Sequence, residues 1–349
     1  VQRPQTDLDL AIASSINPRP VSPRRAARSH PLPTDPAPFA TPCIARPDRR
    51  PCRATPTGPM MRYPSLADLL DRKRADLGRG PLSLVLAEDD VALNETLAHQ
   101  QSCGFRDVVL LAPDSVTIAP GLDDRIHVVT HDVFAEGALV QAVNATIARL
   151  PGTWLHYCHN AEFLVFPFME TRRVREMLTF HAEERREAML TYVIDLYAGD
   201  LDRNPDGVAL DDAWLDRQGY YALTREDPAR DWQPKDRQLD FFGGLRWRFE
   251  EHVPHARRRI DRISLFRAKP GLKLQPDFTL SDEEMNTYAC RWHHNLTAAV
   301  CSFRTAKALR TNPGSRHAIP TFRWPNSVKF DWHSQQLMDL GLMEPGQWF

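Results

Sequence analysis

The sequence predicts an α/β protein built on a mostly parallel central sheet, with a helical region at its C-terminal end. Short segments that are almost entirely apolar alternate with longer segments whose apolar residues recur at helical spacing. The apolar segments lack the polar–apolar alternation of a strand with one wet face, so both faces of these strands should be covered. The helical segments between them have the length that a crossover between parallel strands requires.

The regular part of the chain begins near residue 80. We expect strands at 82–87, 108–112, 126–130 and 154–158. We expect helices at 91–103 and 135–150, ended by Gly104 and by Pro151-Gly152. Ligands bind beyond the carboxyl ends of the strands in parallel sheets. The first candidates for a site are therefore the polar segments that follow three of the strands, at 88–90, 113–115 and 159–162.

The second half of the chain is less regular. Its patterns predict a charged helix over 171–198, a polar loop over 199–240, short strands at 263–266 and 272–274, and a helix over 287–309. A compact F-F-G-G-L-R-W-R motif stands at 241–248. The sequence contains no internal repeat, so we expect one domain over 61–349, with a core at about 80–250 and a C-terminal elaboration at about 251–349.

The first sixty residues differ from the rest in composition. They contain 13 of the 29 prolines, nine arginines, no lysine and four acidic residues. Such a segment has too little apolar surface to form a core, and its prolines would interrupt any helix. We expect residues 1–60 to be a disordered Pro/Arg-rich extension.

Composition excludes several functional classes. The 349 residues are 42% hydrophobic and 26% charged, and a net charge of −1 gives no electrostatic reason to expect nucleic acid as a partner. The sequence has no apolar run of about 18 residues, so we expect no integral membrane segment. We expect a cytoplasmic protein, with a peripheral position at the inner membrane as an alternative. The dinucleotide fingerprint GxGxxG and the phosphate loop GxxxxGK[ST] are both missing from the sequence.

One pair of potential metal ligands follows the strand at 154–158. His159 and Glu162 lie three residues apart, and imidazole and carboxylate both bind divalent ions. In the alternative interpretation Glu162 caps the following segment and His159 is a surface residue. The spacing alone leaves both interpretations open.

The segment H-N-A-E-F-L at 159–164 resembles the D-x-D-E-F-L strand end of family 2 glycosyltransferases, in the branch that processes bacterial surface polysaccharides. Further segments between about 80 and 310 resemble the same branch in the same order. They are E-D at 88–89 with N-E-T-L-A-H at 94–99, the strand and turn at 108–115, I-D-L-Y at 194–197, F-G-G-L-R-W-R at 242–248, and H-H at 293–294 followed by Arg304 and Lys307.

The resemblance implies a Rossmann-like GT-A fold and transfer of a sugar from a nucleotide-sugar donor to a glycan or small-molecule acceptor. In that family the D-x-D motif holds Mn²⁺ or Mg²⁺ on the donor diphosphate, and an acceptor hydroxyl attacks the sugar carbon with inversion, helped by a carboxylate base. Here His159 and Ala161 stand at the two aspartate positions, and Glu162 persists. The first alternative is a non-catalytic relative that binds a nucleotide-sugar or a protein partner. The second is an interaction protein that uses a helix at 171–191.

The resemblance also implies roles for individual residues. Glu162 and Asp195 are the candidate catalytic residues, and His159 with Glu162 is the candidate metal pair. The candidate donor-binding residues are Glu88, Asp89, Asp114, His159, Arg246, Arg248, His294 and Lys307. Because Ala161 cannot bind a metal, a second arrangement is open in which cations hold the diphosphate directly.

Three residues are the candidates for that second arrangement, namely Arg246, Arg248 and Lys307. The alternative for the arginines is that Trp247 and Phe249 pack while the guanidinium groups are solvated. For His294 the alternative is a helix surface, and for Asp195 it is a hydrogen bond to a neighbouring loop.

Overall fold

The structure is a computed structural model, and it describes residues 62–119, 125–288 and 296–346. The expected extension at 1–60 and the candidate residue His294 lie outside these ranges.

The described residues form a mixed α/β fold. The strands are β1 (Arg62–Tyr63), β2 (Leu82–Leu86), β3 (Asp107–Ala112), β4 (Ile126–Thr130), β5 (Trp154–His159), β6 (Glu162–Val165), β7 (Ala188–Asp195), β8 (Tyr197–Ala198), β9 (Ala213–Asp216), β10 (Tyr221–Asp227), β11 (Gln233–Phe242), β12 (Asp261–Arg267), β13 (Ala298–Ser302) and β14 (Ser327–Lys329). The α-helices are α1 (Leu66–Leu77), α2 (Leu93–Cys103), α3 (Ala138–Arg149), α4 (Val174–Glu183), α5 (Gly244–Arg248), α6 (Arg304–Thr311) and α7 (Ser334–Asp339). None of the helices in these ranges combines the length and the apolar character needed to cross a membrane.

A nine-stranded sheet forms the centre of the described fold, in the order β1-β4-β3-β2-β5-β12-β7-β13-β6. The pairs β1–β4, β4–β3, β3–β2 and β2–β5 are all parallel, and β13 is parallel to β7. Strand β12 is antiparallel to both of its neighbours, and β6 is antiparallel to β13. The prediction of an α/β fold with a mostly parallel central sheet is confirmed.

Both faces of the sheet are covered, as the apolar strands predict. Alternate residues of β2 enter different cores, since Leu84 packs with α1 and α3 on one face while Val85 packs with α2 and α4 on the other. Helix α2 ends where the sequence indicates, at Gly104, whose φ of 94° is the left-handed conformation that glycine adopts without strain.

Two of the predicted helices contain strands instead. The helix expected at 171–198 ends at Glu183, and residues 188–195 form β7, an interior strand of the sheet. The helix expected at 287–309 is also wrong, because residues 298–302 form the buried strand β13 and α6 begins at Arg304. In both places a short apolar run follows a charged or polar segment, and helical periodicity cannot distinguish such a run from a buried strand.

The expected loop at 199–240 also contains strands. Strands β10 and β11 form an antiparallel hairpin, and β9 lies between β8 and β14 in a second small sheet. The boundary expected near residue 250 does not divide the sheet, because β12 and β13 come from beyond it and lie on either side of β7. The C-terminal region therefore contributes strands to the central sheet and also contains helices.

The direction in which strands are added to the sheet reverses between β2 and β5. The chain proceeds from β2 to β3 and β4 on one side, and then returns to place β5 on the other side of β2. A crevice forms at the carboxyl ends of two strands related in this way, and ligands of open α/β sheets bind there.

Candidate functional site

A cavity of about 640 Å³ lies at the carboxyl edge of the parallel strands. Its wall includes residues that follow β2 and β4, the start of β12, and one face of α6. The basic side chains in the wall are Arg246, Arg257, Arg259, Arg262, Arg304 and Lys307. The acidic ones are Glu88, Asp89, Glu162, Asp261 and Asp277. The site is therefore densely charged, and both signs are present.

Asn160 joins the two loops at the point where the strand order reverses. Its buried side chain accepts a hydrogen bond from the backbone N–H of Glu88 at 3.0 Å through Oδ1. Its Nδ2 donates to Asp89 Oδ1 at 2.6 Å and to the carbonyl of Val91 at 3.0 Å. The loop after β5 thus holds the loop after β2, and it fixes the backbone from which the two carboxylates project.

Helix α6 presents one face to the cavity, with Arg304, Lys307, Ala308 and Thr311 at successive positions of that face. Arg304 donates two hydrogen bonds to Glu88, from Nε to Oε2 at 3.1 Å and from Nη2 to Oε1 at 2.5 Å. Burial raises the pKa of Glu88, but Arg304 outweighs burial and the pKa lies below its ordinary value.

Lys307 is paired in the same way. Its Nζ lies 2.6 Å from Oδ2 of Asp89 and donates to Oδ1 at 2.8 Å. Two cations from α6 are therefore held by the two carboxylates that follow β2.

A buried ion pair between Glu162 and Arg262 lies deeper in the site. Arg262 Nη2 donates to Glu162 Oε2 at 2.8 Å, and Ser302 Oγ donates to Oε1 at 3.0 Å. The backbone N–H of His159 donates to Oε2 at 2.8 Å. Burial raises the pKa of Glu162, but the Arg262 charge holds it well below its ordinary value. Glu162 is thus a fixed anion whose two oxygens both have partners.

His159 and Glu162 do not fit a divalent ion. The imidazole Nδ1 lies 3.7 Å from Glu162 Oε2. Glu162 is already bound to the Arg262 guanidinium, which would repel a metal ion. No group of three or more His, Cys, Asp and Glu side chains that could hold a metal ion occurs in the described ranges. Arg262 therefore already supplies the positive charge beside Glu162.

Ala161 stands at the second aspartate position of the resemblance, and it faces the core. Its side chain is fully buried, and its φ of 58° is left-handed. Its N–H donates to Thr96 Oγ1 at 2.9 Å, and its carbonyl accepts from the N–H of Phe303 at 3.0 Å. Ala161 packs in the hydrophobic core and does not belong to the cavity wall.

Asp195 is buried at the end of β7 and is not part of the cavity wall. Its carboxylate accepts from Thr305 Oγ1 at 2.7 Å and from the N–H of Arg246 at 3.3 Å. Burial raises its pKa although Arg246 acts against this shift. Since Arg246 and Thr305 both line the cavity, Asp195 positions two residues of the cavity wall.

The glycines of the F-F-G-G-L-R-W-R motif explain its local structure. A Cβ on Gly244 would lie 3.0 Å from Asp195 Oδ2, and one on Gly243 would lie 2.2 Å from Tyr220 Cδ1. Both glycines have positive φ, of 65° and 155°. The motif therefore brings α5 close to β7 and directs Arg246 to the cavity.

Two further candidate residues lie elsewhere. Arg248 donates to the carbonyl of Phe322 at 2.6 Å, and its Nε lies 2.9 Å from the buried carboxylate of Asp216. Asp114 is exposed and pairs with Arg62 at 2.6 Å. Neither Arg248 nor Asp114 belongs to the cavity wall.

The sequence pattern did not indicate Asn160, Arg257, Arg259 or Arg262 as site residues. The run H-A-R-R-R-I-D-R at 255–262 is the sequence signal that could have indicated this part of the site, because it concentrates four arginines in eight residues. Asn160 has no comparable signal, because its role depends on contacts with a loop 70 residues earlier.

Comparison of the chain with protein-family models and with curated protein sequences finds no match.

Proposed function

We propose that this chain is a glycosyltransferase that moves a sugar from a nucleotide-sugar to a glycan or small-molecule acceptor, with protein cations in place of a divalent metal. The observation that supports this most directly is the cavity of about 640 Å³, with six basic side chains, at the carboxyl edge of a mostly parallel sheet. Such an edge is where α/β folds bind phosphorylated ligands. In the GT-A fold that the resemblance implies, the donor lies over the carboxyl edge of the sheet, and the cavity has this position.

Protein cations can supply the charge stabilisation that the resemblance assigns to a metal ion. Negative charge develops on the diphosphate as the bond to the sugar breaks, and positioned cations stabilise that charge. Arginine suits this role because its planar guanidinium binds two phosphate oxygens at once. Arg304 and Lys307 lie on the cavity face of α6, and Arg246 and Arg262 line the same cavity.

The exposed ring of Phe134 supports the proposal that the donor contains a nucleoside. It follows β4, lines the cavity, and is 69% exposed. An exposed aromatic ring offers a face on which a nucleobase can stack. A cavity with cations and one such ring matches the two parts of a nucleoside diphosphate.

Asp277 is the cavity carboxylate best placed to act as the base. Its side chain is 50% exposed, compared with 42% for Asp89 and 24% for Glu88, while Glu162 and Asp261 are buried. A general base must reach the acceptor hydroxyl, so exposure to the cavity comes first. The buried Asp195 is assigned a positioning role instead.

A second candidate function is binding of a nucleotide-sugar without turnover. It is favoured by the ion pairing of the cavity carboxylates, since all five lie within 3.6 Å of an arginine or lysine nitrogen. Burial raises the pKa of Glu88, Glu162 and Asp277, but Arg304, Arg262 and Thr279 respectively outweigh burial and hold these pKa values below their ordinary range. A lowered pKa weakens the case for these three carboxylates as proton acceptors.

Release of nucleoside diphosphate from a panel of UDP- and GDP-hexoses tests the proposal. We expect release in EDTA, and a rate about 10²-fold lower in the double variant Arg304→Gln/Lys307→Gln, because two groups that stabilise the leaving diphosphate are lost. Arg267→Gln is the matched control, since Arg267 belongs to β12 but pairs with Trp154 at the opposite edge of the sheet. Binding without release would leave the second candidate, and neither binding nor release would contradict both.

A further inference from the structure

We infer that Arg304 and Lys307 form the diphosphate-binding site, and that Glu88 and Asp89 occupy it until a diphosphate displaces them. This inference rests on the proposed function, and it adds the residues of the site and a mechanism of exchange. Both carboxylates follow β2, and both cations lie on the cavity face of α6.

The Arg304–Glu88 pair has the geometry of a phosphate site. The guanidinium donates through Nε and Nη2 to the two oxygens of Glu88, at 3.1 and 2.5 Å. A phosphate group accepts the same two parallel hydrogen bonds, because its oxygens match the fork of the guanidinium as a carboxylate does. The carboxylate of Glu88 therefore stands where one phosphate of a ligand would stand.

The second pair extends the site by one more anionic group. Lys307 lies one helical turn after Arg304 on α6, and its Nζ contacts both oxygens of Asp89 at 2.8 and 2.6 Å. Two adjacent cations that bind two adjacent carboxylates fit a ligand with two linked phosphates. A diphosphate replaces the two carboxylate charges with at least as much negative charge.

Water can reach both pairs, so their opening should be easy. Arg304 and Glu88 are 31% and 24% exposed, and Asp89 is 42% exposed although Lys307 is only 10% exposed. Water therefore screens the first pair from both partners and the second from the Asp89 side. The Glu162–Arg262 pair behind them is buried and hydrogen-bonded on several sides, so it should stay closed.

The two carboxylates should respond differently to the ligand. Asp89 Oδ1 also accepts from Asn160 Nδ2 at 2.6 Å and from the N–H of Val91 at 3.0 Å, which hold the carboxylate when Lys307 leaves. Both oxygens of Glu88 are bound by Arg304, and its side chain can rotate when the guanidinium turns to the ligand. Removing the charge of Glu88 should therefore have the larger effect on binding.

Calorimetric titration with inorganic pyrophosphate, in EDTA and at low salt, tests the inference. We expect Glu88→Gln to bind pyrophosphate about tenfold more tightly than the unsubstituted protein, because the internal competitor loses its charge. Asp89→Asn should change affinity in the same direction and by less. Arg304→Gln should weaken binding about tenfold or more.

Glu187→Gln is the matched control. Glu187 forms a carboxylate–lysine pair of similar exposure with Lys269, at 2.6 Å and away from the cavity wall. Its substitution removes the same charge and should leave pyrophosphate affinity unchanged.

Equal or weaker binding by Glu88→Gln, or no binding by either protein, would overturn the inference. Turnover of a nucleotide-sugar with no effect of Glu88→Gln on pyrophosphate affinity would leave the proposed function in place without the exchange. Tighter pyrophosphate binding by Glu88→Gln in a protein that binds no nucleotide would support the exchange and contradict the proposed function.

Discussion

Glu162 shows how a residue in the cavity wall can be a structural anion. Arg262 and Ser302 donate to its two oxygens, and the backbone N–H of His159 donates to Oε2. An anion held in this way orders the elements that meet at it, since Glu162 starts β6 and Arg262 belongs to β12. Its position after β5 could be predicted from the sequence, but its partner could not, because Arg262 comes 100 residues later.

Substitution of Arg262 tests the structural role of this pair. Arg262→Met should lower the free energy of unfolding by about 3–5 kcal/mol, because it leaves Glu162 buried without its counter-charge. The double variant Glu162→Gln/Arg262→Met should recover most of that loss, as the buried charge is removed with its partner. Urea unfolding at pH 7 measures both values, and a single variant as stable as the unsubstituted protein would contradict this account.

Ala161→Asp tests whether an aspartate at the second D-x-D position of the resemblance would bind a metal ion. Ala161→Asp places a carboxylate in the core, where Ala161 is fully buried. We expect a loss of about 2 kcal/mol or more in the free energy of unfolding, and no gain in Mn²⁺ affinity. Thermal unfolding with and without Mn²⁺ measures the two effects. If Mn²⁺ stabilised Ala161→Asp but not the unsubstituted protein, this position would face the site, in contradiction to this account.

Phe134 tests the nucleoside part of the proposal. Phe134→Ala should weaken UDP or GDP binding by about 1–3 kcal/mol through loss of stacking, and it should leave pyrophosphate binding unchanged. Calorimetry with the two ligands separates these effects. Equal weakening of both ligands would place Phe134 at the phosphates or in the fold rather than at the base.

Helix α4 adds a pH dependence to stability. Burial, with a smaller effect of Arg186, lowers the pKa of His181 to about 4, and neither ring nitrogen has a hydrogen-bond partner among the described residues. The unfolded chain takes up this proton below about pH 6.5, whereas the folded chain does so only near pH 4. Stability from the neutral imidazole is therefore fully present above pH 6.5 and falls as the pH drops from 6.5 to 4.

Substitution of His181 tests this pH dependence. Between pH 6.5 and pH 4, the free energy of unfolding should fall by about 3 kcal/mol less in His181→Phe than in the unsubstituted protein, because the phenyl ring takes up no proton. His317→Phe, at an exposed position, is the control. Urea unfolding at several pH values gives the comparison, and parallel curves for His181→Phe and the unsubstituted protein would rule out this explanation.

The elements differ in how well the sequence predicts them. Strands β2 to β5 could be placed to within a residue or two, because each is a short apolar run between turn residues and is buried on both faces. Strands β7 and β13 are equally apolar, but each adjoins a charged segment in which helical spacing dominates the local pattern. Packing between the helices and the sheet, rather than local preference, decides their conformation.

The order of the strands is a property of the whole molecule that the sequence pattern did not contain. Strand β12 enters the sheet between β5 and β7, antiparallel to both, and this places Arg262 beside Glu162. In the same way, α6 follows β13 to the carboxyl edge and brings Arg304 to Glu88. The polar segments after β2 and β5 were predictable candidates for a site, whereas the cations that surround them come from distant elements.

If this chain is the proposed glycosyltransferase, its fold binds a nucleoside diphosphate through its own cations. Calorimetric titration of the unsubstituted protein with UDP and GDP, first in EDTA and then with Mn²⁺, tests it most directly. We predict that at least one of the two nucleotides binds in EDTA, with an affinity that Mn²⁺ changes by no more than about threefold. Binding that requires Mn²⁺, or no binding of either nucleotide under any metal condition, would contradict the claim.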